Sequence, residues 1–185
     1  MADTSDFRNG MVIDHKSNLW AIVEFQHVKP GKGPAFVRTK LKAVKSGKVV
    51  EETFRAGEKV VEIRLERRDY QYLYVDGEFM TFMNLETYEQ ISLPKDTLGD
   101  LSKYVKESET VSMLLQEGQP LTVEPPQTVE LKVDKTDPGV RGDTAQGGSK
   151  PATMETGLVV NVPLFIEEGE ILKIDTRTGK YLGRV

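Results

Sequence analysis

From end to end the chain is a succession of short β-type runs. Val, Ile, Thr, Phe and Tyr concentrate in residues 19–28, 35–44, 49–54 and 60–65, then in 70–75 and 78–83, and again in 110–115, 121–123, 128–133, 157–162, 171–174 and 181–185. The stretches between them are rich in residues that favour turns, so the pattern predicts an all-β chain, with one short helix over 101–106 after Gly99-Asp100. The length of 185 residues allows one large domain, or two or three of about 60 residues, near the lower limit for independent folding. Punctuation favours three small barrels in series: 1–65, 66–127 and 128–185, with Pro125-Pro126 marking the second boundary.

Composition removes several classes of function. The chain has no cysteine, which excludes disulfides, thiol catalysis and thiolate metal sites. Its two histidines, His15 and His27, stand far apart with no obvious acid partner, and no nucleophile–base pair is recognisable, so neither a metal centre nor an enzyme is expected. The polar, acidic first residues carry no secretory pattern, and no run of 18 apolar residues exists, so a cytoplasmic chain that does not enter a membrane is expected.

The net charge of −4 hides a steep partition. Residues 1–65 carry +4, residues 66–127 carry −7 and residues 128–185 carry −1. No acid occurs over residues 25–50, where seven basic residues do. Within that run Val37, Thr39 and Leu41 alternate with Arg38, Lys40 and Lys42, which predicts a strand with one packed face and one basic face. A basic stripe of this kind fits the backbone of structured RNA; it also fits a solvated edge that resists aggregation.

Between the first two strand runs lies Lys29-Pro30-Gly31-Lys32-Gly33-Pro34. Two prolines stiffen the ends of the turn and two glycines clear space around Lys32, so the lysine is presented. An ordinary hairpin with a solvated lysine has the same spacing, and the phosphate-binding loop pattern is absent. In the middle third, Asp76-Gly77 predicts a type I′ hairpin turn, Gly118-Gln119-Pro120 a second turn, and Tyr70, Tyr72 and Tyr74 one hairpin face. Residues 137–151 read as a long loop with four glycines. It contains Gly142-Asp143-Thr144, which can read nucleotide edges or form an Asx-type turn, and an Arg141-Gly142-Asp143 tripeptide that is read as chance.

The tip residues followed by Ala35-Phe36, the Asp76-Gly77-Glu78-Phe79 hairpin, the run from Thr136-Asp137-Pro138-Gly139 to Gly142-Asp143-Thr144-Ala145, and Lys150-Pro151-Ala152-Thr153 with Gly157, Val162-Pro163, Ile166 and Gly169 resemble the bacterial translation elongation factor P family over the whole chain. The resemblance implies a KOW/SH3-like barrel followed by two OB-fold barrels in an L-shaped, tRNA-like monomer without a cofactor. It further implies a factor that binds the 70S ribosome between the P and E sites and relieves stalling at consecutive prolines. By the same resemblance, Lys32 steadies the CCA end of the P-site peptidyl-tRNA. Arg38, Lys40 and Lys42 hold RNA backbone, and Gly142, Asp143 and Thr144 approach the mRNA at the E-site codon. The acidic middle third faces solvent or protein such as the large-subunit stalk, and Tyr181 and Arg184 are weaker tRNA candidates. The Pro-Gly-Lys-Gly-Pro tip resembles the actinobacterial branch, in which an unmodified lysine suffices. A general OB-fold RNA-binding protein or RNA chaperone is the alternative; it calls for interleaved exposed aromatic and basic residues, which the sequence lacks.

Overall fold

The computed structural model describes residues 2–139 and 148–185. The chain forms two compact units, Met1–Arg67 with Leu114–Thr122, and Arg68–Met113 with Val123–Val185. Three antiparallel sheets account for nearly all of the regular structure, and the architecture is all-β as the sequence predicts.

The first sheet contains β1 (Ala2–Asp3), β2 (Val12–His15), β3 (Asn18–Val28), β4 (Phe36–Ala43), β5 (Val49–Arg55) and β6 (Lys59–Ile63), in the order β1-β6-β2-β3-β4-β5. β1 and β2 are not foreseen in the sequence, since two and four residues are too few to show a period. The alternation in β4 is as expected: Val37, Thr39 and Leu41 are at most 1% exposed, while Arg38, Lys40 and Lys42 face solvent. Thr39 is tolerated in the core because its hydroxyl donates to the Glu52 carbonyl at 2.8 Å. Phe7, Ile13, Ile22, Leu41 and Phe54 form the interior with it. Rings continue edge to face from His27 to Phe25 (5.8 Å), Phe7 (6.4 Å), Phe54 (5.5 Å) and His15 (5.0 Å). A bulge at Val23 shifts the β3–β4 register, which curls the long β3 around this core.

The second sheet comprises β7 (Glu66–Asp76), β8 (Phe79–Asn84), β9 (Gln90–Pro94), β10 (Thr110–Gln116) and β11 (Gln119–Glu124), in the order β11-β10-β7-β8-β9. Two single-turn helices, α1 (Lys95–Leu98) and α2 (Leu101–Tyr104), stand between β9 and β10, where one was expected. The predicted hairpin is present but its turn lies one residue further on. Asp76 pairs with Phe79, leaving Gly77 and Glu78 as the turn, and only Gly77 has positive φ (56°); this is the signature of type II′, not of the expected type I′. The second turn is Glu117-Gly118 (φ 50° and 78°), with Pro120 inside edge strand β11, where its missing N–H costs no ladder bond. The three tyrosines do not share a face. A bulge between Tyr72 and Tyr74 leaves Tyr70 and Tyr72 buried and turns Tyr74 outward to 46% exposure.

The third sheet comprises β12 (Thr128–Thr136), β13 (Ser149–Met154), β14 (Val159–Pro163), β15 (Ile171–Asp175) and β16 (Lys180–Arg184), in the order β14-β13-β12-β15-β16. Counted within each module, this is the strand order of the second sheet, third-second-first-fourth-fifth. Both sheets therefore have OB-type connectivity despite unlike sequences. Leu131, Met154, Ile166, Leu172 and Ile174 fill the core, and Tyr104 from α2 packs against it. The long loop expected up to residue 151 ends sooner, because Ser149, Lys150 and Pro151 already belong to β13.

Candidate nucleic-acid interface

β3 and β4 end on the Val28–Phe36 pair, which leaves residues 29–35 as the connecting loop. The loop's exit is fixed to the sheet by the Ala56 N–H, which donates to the Ala35 carbonyl at 3.0 Å. Lys29, Pro30, Gly31, Lys32, Gly33 and Pro34 are all exposed. Gly33 adopts φ 122°, which L side chains rarely reach; the conformation beside Lys32 therefore depends on glycine rather than on lack of space, since a Cβ would meet only Pro30 at 3.8 Å. The result is an ammonium on a short loop with a stiff entry and a tethered exit.

The stripe below the loop is less cationic than the sequence suggests. Lys40 sits between Glu24 on β3 and Glu51 on β5, and its Nζ donates to Glu24 at 2.9 Å. That hydrogen bond, reinforced by the charge of Glu24, holds the lysine above its ordinary pKa. Arg38 lies opposite Gln26 and Thr53, and Lys42 opposite Ala21 and Val49, so these two face no carboxylate across the ladder. Glu24 and Glu51 flank the acid-free stretch in sequence and are folded onto its middle by strand pairing.

The structure also supplies an acid partner for His15 that the sequence did not reveal. Glu52 Oε1 lies 3.7 Å from His15 Nε2, and Lys16 binds the same carboxylate at 3.1 Å. Among the described residues no cluster of three potential metal ligands exists.

Gly142, Asp143 and Thr144 fall outside the described residues. Tyr181 is half-buried against the core. Arg184 is exposed but engaged: it binds Glu170 at 2.9 Å and its guanidinium lies 5.2 Å over the ring of Phe165. Glu170 is held below the usual carboxylate range, first by the Glu167 N–H and then by Arg184. Nearby, Lys150 is 7% exposed and donates to the Asp137 carbonyl at 2.6 Å. Neither Phe165 nor the role of Lys150 could be read from sequence, because both depend on which residues the barrel brings beside them.

Three family models cover the chain: the elongation factor P KOW-like domain matches residues 3–60, the elongation factor P OB domain 65–123 and the elongation factor P C-terminal domain 129–184. An elongation factor P of Agathobacter rectalis is 56% identical over all of both chains, and one of Rhodococcus erythropolis is 57% identical over all of this chain and 99% of its own. A solved structure titled as eukaryotic translation initiation factor 5A, from Methanococcus jannaschii, is similar in fold, with a TM-score of 0.50 and 23% identity over 65% of this chain and 89% of its own. No helix of the described residues is long and apolar enough to cross a membrane. With three consecutive domain models matched along this strand order, and relatives identical at more than half of all positions, the chain belongs to the elongation factor P family of translation factors.

Proposed function

We propose that this protein binds the ribosome between the P and E sites and relieves stalling at consecutive prolines by positioning the peptidyl-tRNA. The observation that carries the reading is Lys32, exposed on a loop whose exit is tied to the sheet and whose conformation depends on Gly33. Proline is a constrained, poor nucleophile, so a factor that fixes the donor's geometry lowers the entropic part of the barrier without taking part in bond making. No catalytic residue of its own is required. The Lys32 ammonium follows the phosphates of the CCA end, while Arg38 and Lys42, with Lys40 partly neutralised, hold RNA backbone.

The same reading makes the protein a cytoplasmic monomer of three modules divided near residues 65 and 127. Gly142, Asp143 and Thr144 approach the mRNA at the E-site codon, and the acidic middle module faces protein such as the large-subunit stalk. Of the weaker tRNA candidates, Tyr181 offers its exposed edge and Arg184 the donors that Glu170 leaves unused. Pro34 takes over the contribution of a lysine modification by restricting the unbound loop.

The test is a three-proline reporter in cells lacking the protein, complemented by wild type or Lys32→Ala. Stalling relieved by wild type alone is expected; full rescue by the alanine variant would overturn the reading. Intact mass of the native protein checks the lysine, and an adduct on Lys32 contradicts the role given to Pro34.

A further inference from the structure

The outward face of the β13–β14 hairpin carries no charge. Antiparallel pairing sets Ser149 beside Pro163, Pro151 beside Asn161, and Thr153 beside Val159. None of these six is ionisable, in a chain where 29% of residues are charged, and Val159 is 61% exposed. The neutral surface continues past the end of β14. Ser149, Asn161, Pro163, Leu164 and Phe165 line one concavity of about 530 Å³ that, among the described residues, has no ionisable side chain in its lining. At its end the Phe165 ring is 61% exposed.

That ring is held in place. The Arg184 guanidinium lies over it at 5.2 Å, Glu170 fixes the guanidinium at 2.9 Å, and the Glu167 N–H fixes Glu170 at 2.8 Å. A large apolar side chain already ordered in solution loses little further entropy when a partner covers it. An aromatic anchor beside an uncharged surface with charges confined to the margin is the make-up of a protein–protein interface centre.

We propose that this face docks the factor onto an uncharged protein surface of the ribosome, with Phe165 as the anchor. The inference rests on the ribosomal reading above. Nucleic acid is the poorer occupant. Phosphate recognition needs cations, and the hairpin face supplies none; among the described residues the cation over Phe165 is Arg184, whose pairing with Glu170 leaves only its remaining donors for a phosphate at the margin of the face. On the other side of Phe165 the adjoining pocket is lined by Asp137, Glu167 and Glu168 and by Lys150, whose buried ammonium is engaged by the Asp137 carbonyl, so the exposed charge there is acidic and would repel a phosphate chain. An uncharged protein surface meets no such cost.

The experiment measures binding of the fluorescently labelled full-length protein to purified 70S ribosomes carrying P-site tRNA and an empty E site. Phe165→Ala is expected to weaken binding about thirtyfold or more, the range of an interface hot spot. Asn161→Lys and Asn161→Glu are both expected to weaken it, to within about twofold of each other, because either charge must be desolvated against a neutral partner. Tighter binding by the lysine variant with weaker binding by the glutamate variant would overturn the proposal in favour of RNA. Three variants that bind like wild type would overturn it outright. All these positions are exposed, and unchanged melting curves separate lost contact from lost fold. A photo-crosslinking residue in place of Phe165 gives an independent readout: an adduct to ribosomal protein supports the proposal and an adduct to ribosomal RNA overturns it. At saturating factor the face variants keep the wild-type rate through three prolines, whereas Lys32→Ala loses rate at saturation. If the face proposal alone fails, Lys32→Ala still loses rate; if the ribosomal reading fails, wild type itself shows no binding and both fall together.

Discussion

Lys40 donates to Glu24 at 2.9 Å across the β3–β4 ladder, so the central cation of the basic stripe is partly silenced by its own neighbour. Glu24→Gln should release it. Ribosome affinity at low salt is expected to rise about threefold, with the slope of log affinity against log salt steepening by up to about one unit. Both groups are exposed, so the melting temperature should stay within about 2 °C of wild type. A salt titration of binding checks both; an unchanged slope would mean that the stripe does not meet phosphate.

The two tip glycines should respond differently to the same change. Gly31 has an ordinary φ and nothing within 4 Å of an added Cβ, so Gly31→Ala should retain most polyproline relief. Gly33 stands at φ 122°, where alanine is strained by about 1–3 kcal/mol, so Gly33→Ala should move the loop and lose relief nearly as fully as Lys32→Ala. The three-proline reporter compares them directly. Denaturant midpoints should barely move for either, since a strained loop can relax without disturbing the barrel.

Lys150→Met should destabilise the protein by about 1–3 kcal/mol, because it leaves the Asp137 carbonyl without its donor inside a site where Lys150 is only 7% exposed. Urea unfolding measures the loss. Lys150→Arg places a donor there but adds volume, so it should recover only part of it.

Acid should weaken the third module. Asp175 accepts the N–H groups of Arg177 at 2.8 Å and Thr178 at 3.1 Å, and its pKa is lowered from the ordinary 3.8, chiefly by the Arg177 N–H. Glu170 is lowered from 4.5 by the Glu167 N–H and by Arg184. For carboxyls depressed in the native state, the added stability is complete above the unfolded values and is lost as pH falls through the native ones. Urea midpoints should therefore be flat from neutrality to about pH 5 and fall below about pH 4. Asp175→Asn keeps the cap but not the charge, and should flatten part of that fall.

The parts legible in sequence were those written in local chemistry. β4 announced itself because packed and basic residues alternate along one strand, and the Lys32 tip because proline and glycine punctuate it. The type II′ turn was displaced by one residue because Asp-Gly fits two registers, and only the Asp76–Phe79 pair decides between them. Tyr74 left its expected face because a bulge reverses the alternation, and nothing in the side chains marks where an extra residue enters. Ser149 to Pro151 read as loop because proline and glycine dominate that stretch, yet pairing to Pro163 and Asn161 makes it a strand. The acids at Glu24, Glu51 and Glu52 acquire their meaning only through cross-strand neighbours, which no window on the sequence contains.

The shared strand order of the two five-stranded sheets has a consequence for how the protein is made. In each, the first strand synthesised ends at the centre of the sheet. Residues 128–132 of β12 pair with 171–175 of β15, so during vectorial synthesis one side of the central strand stays open until some forty residues more have emerged. A nascent chain halted in that interval exposes an unpaired edge next to unburied core residues, the arrangement most open to association with another chain. Release of the final segment therefore protects this module from aggregation as well as completing it.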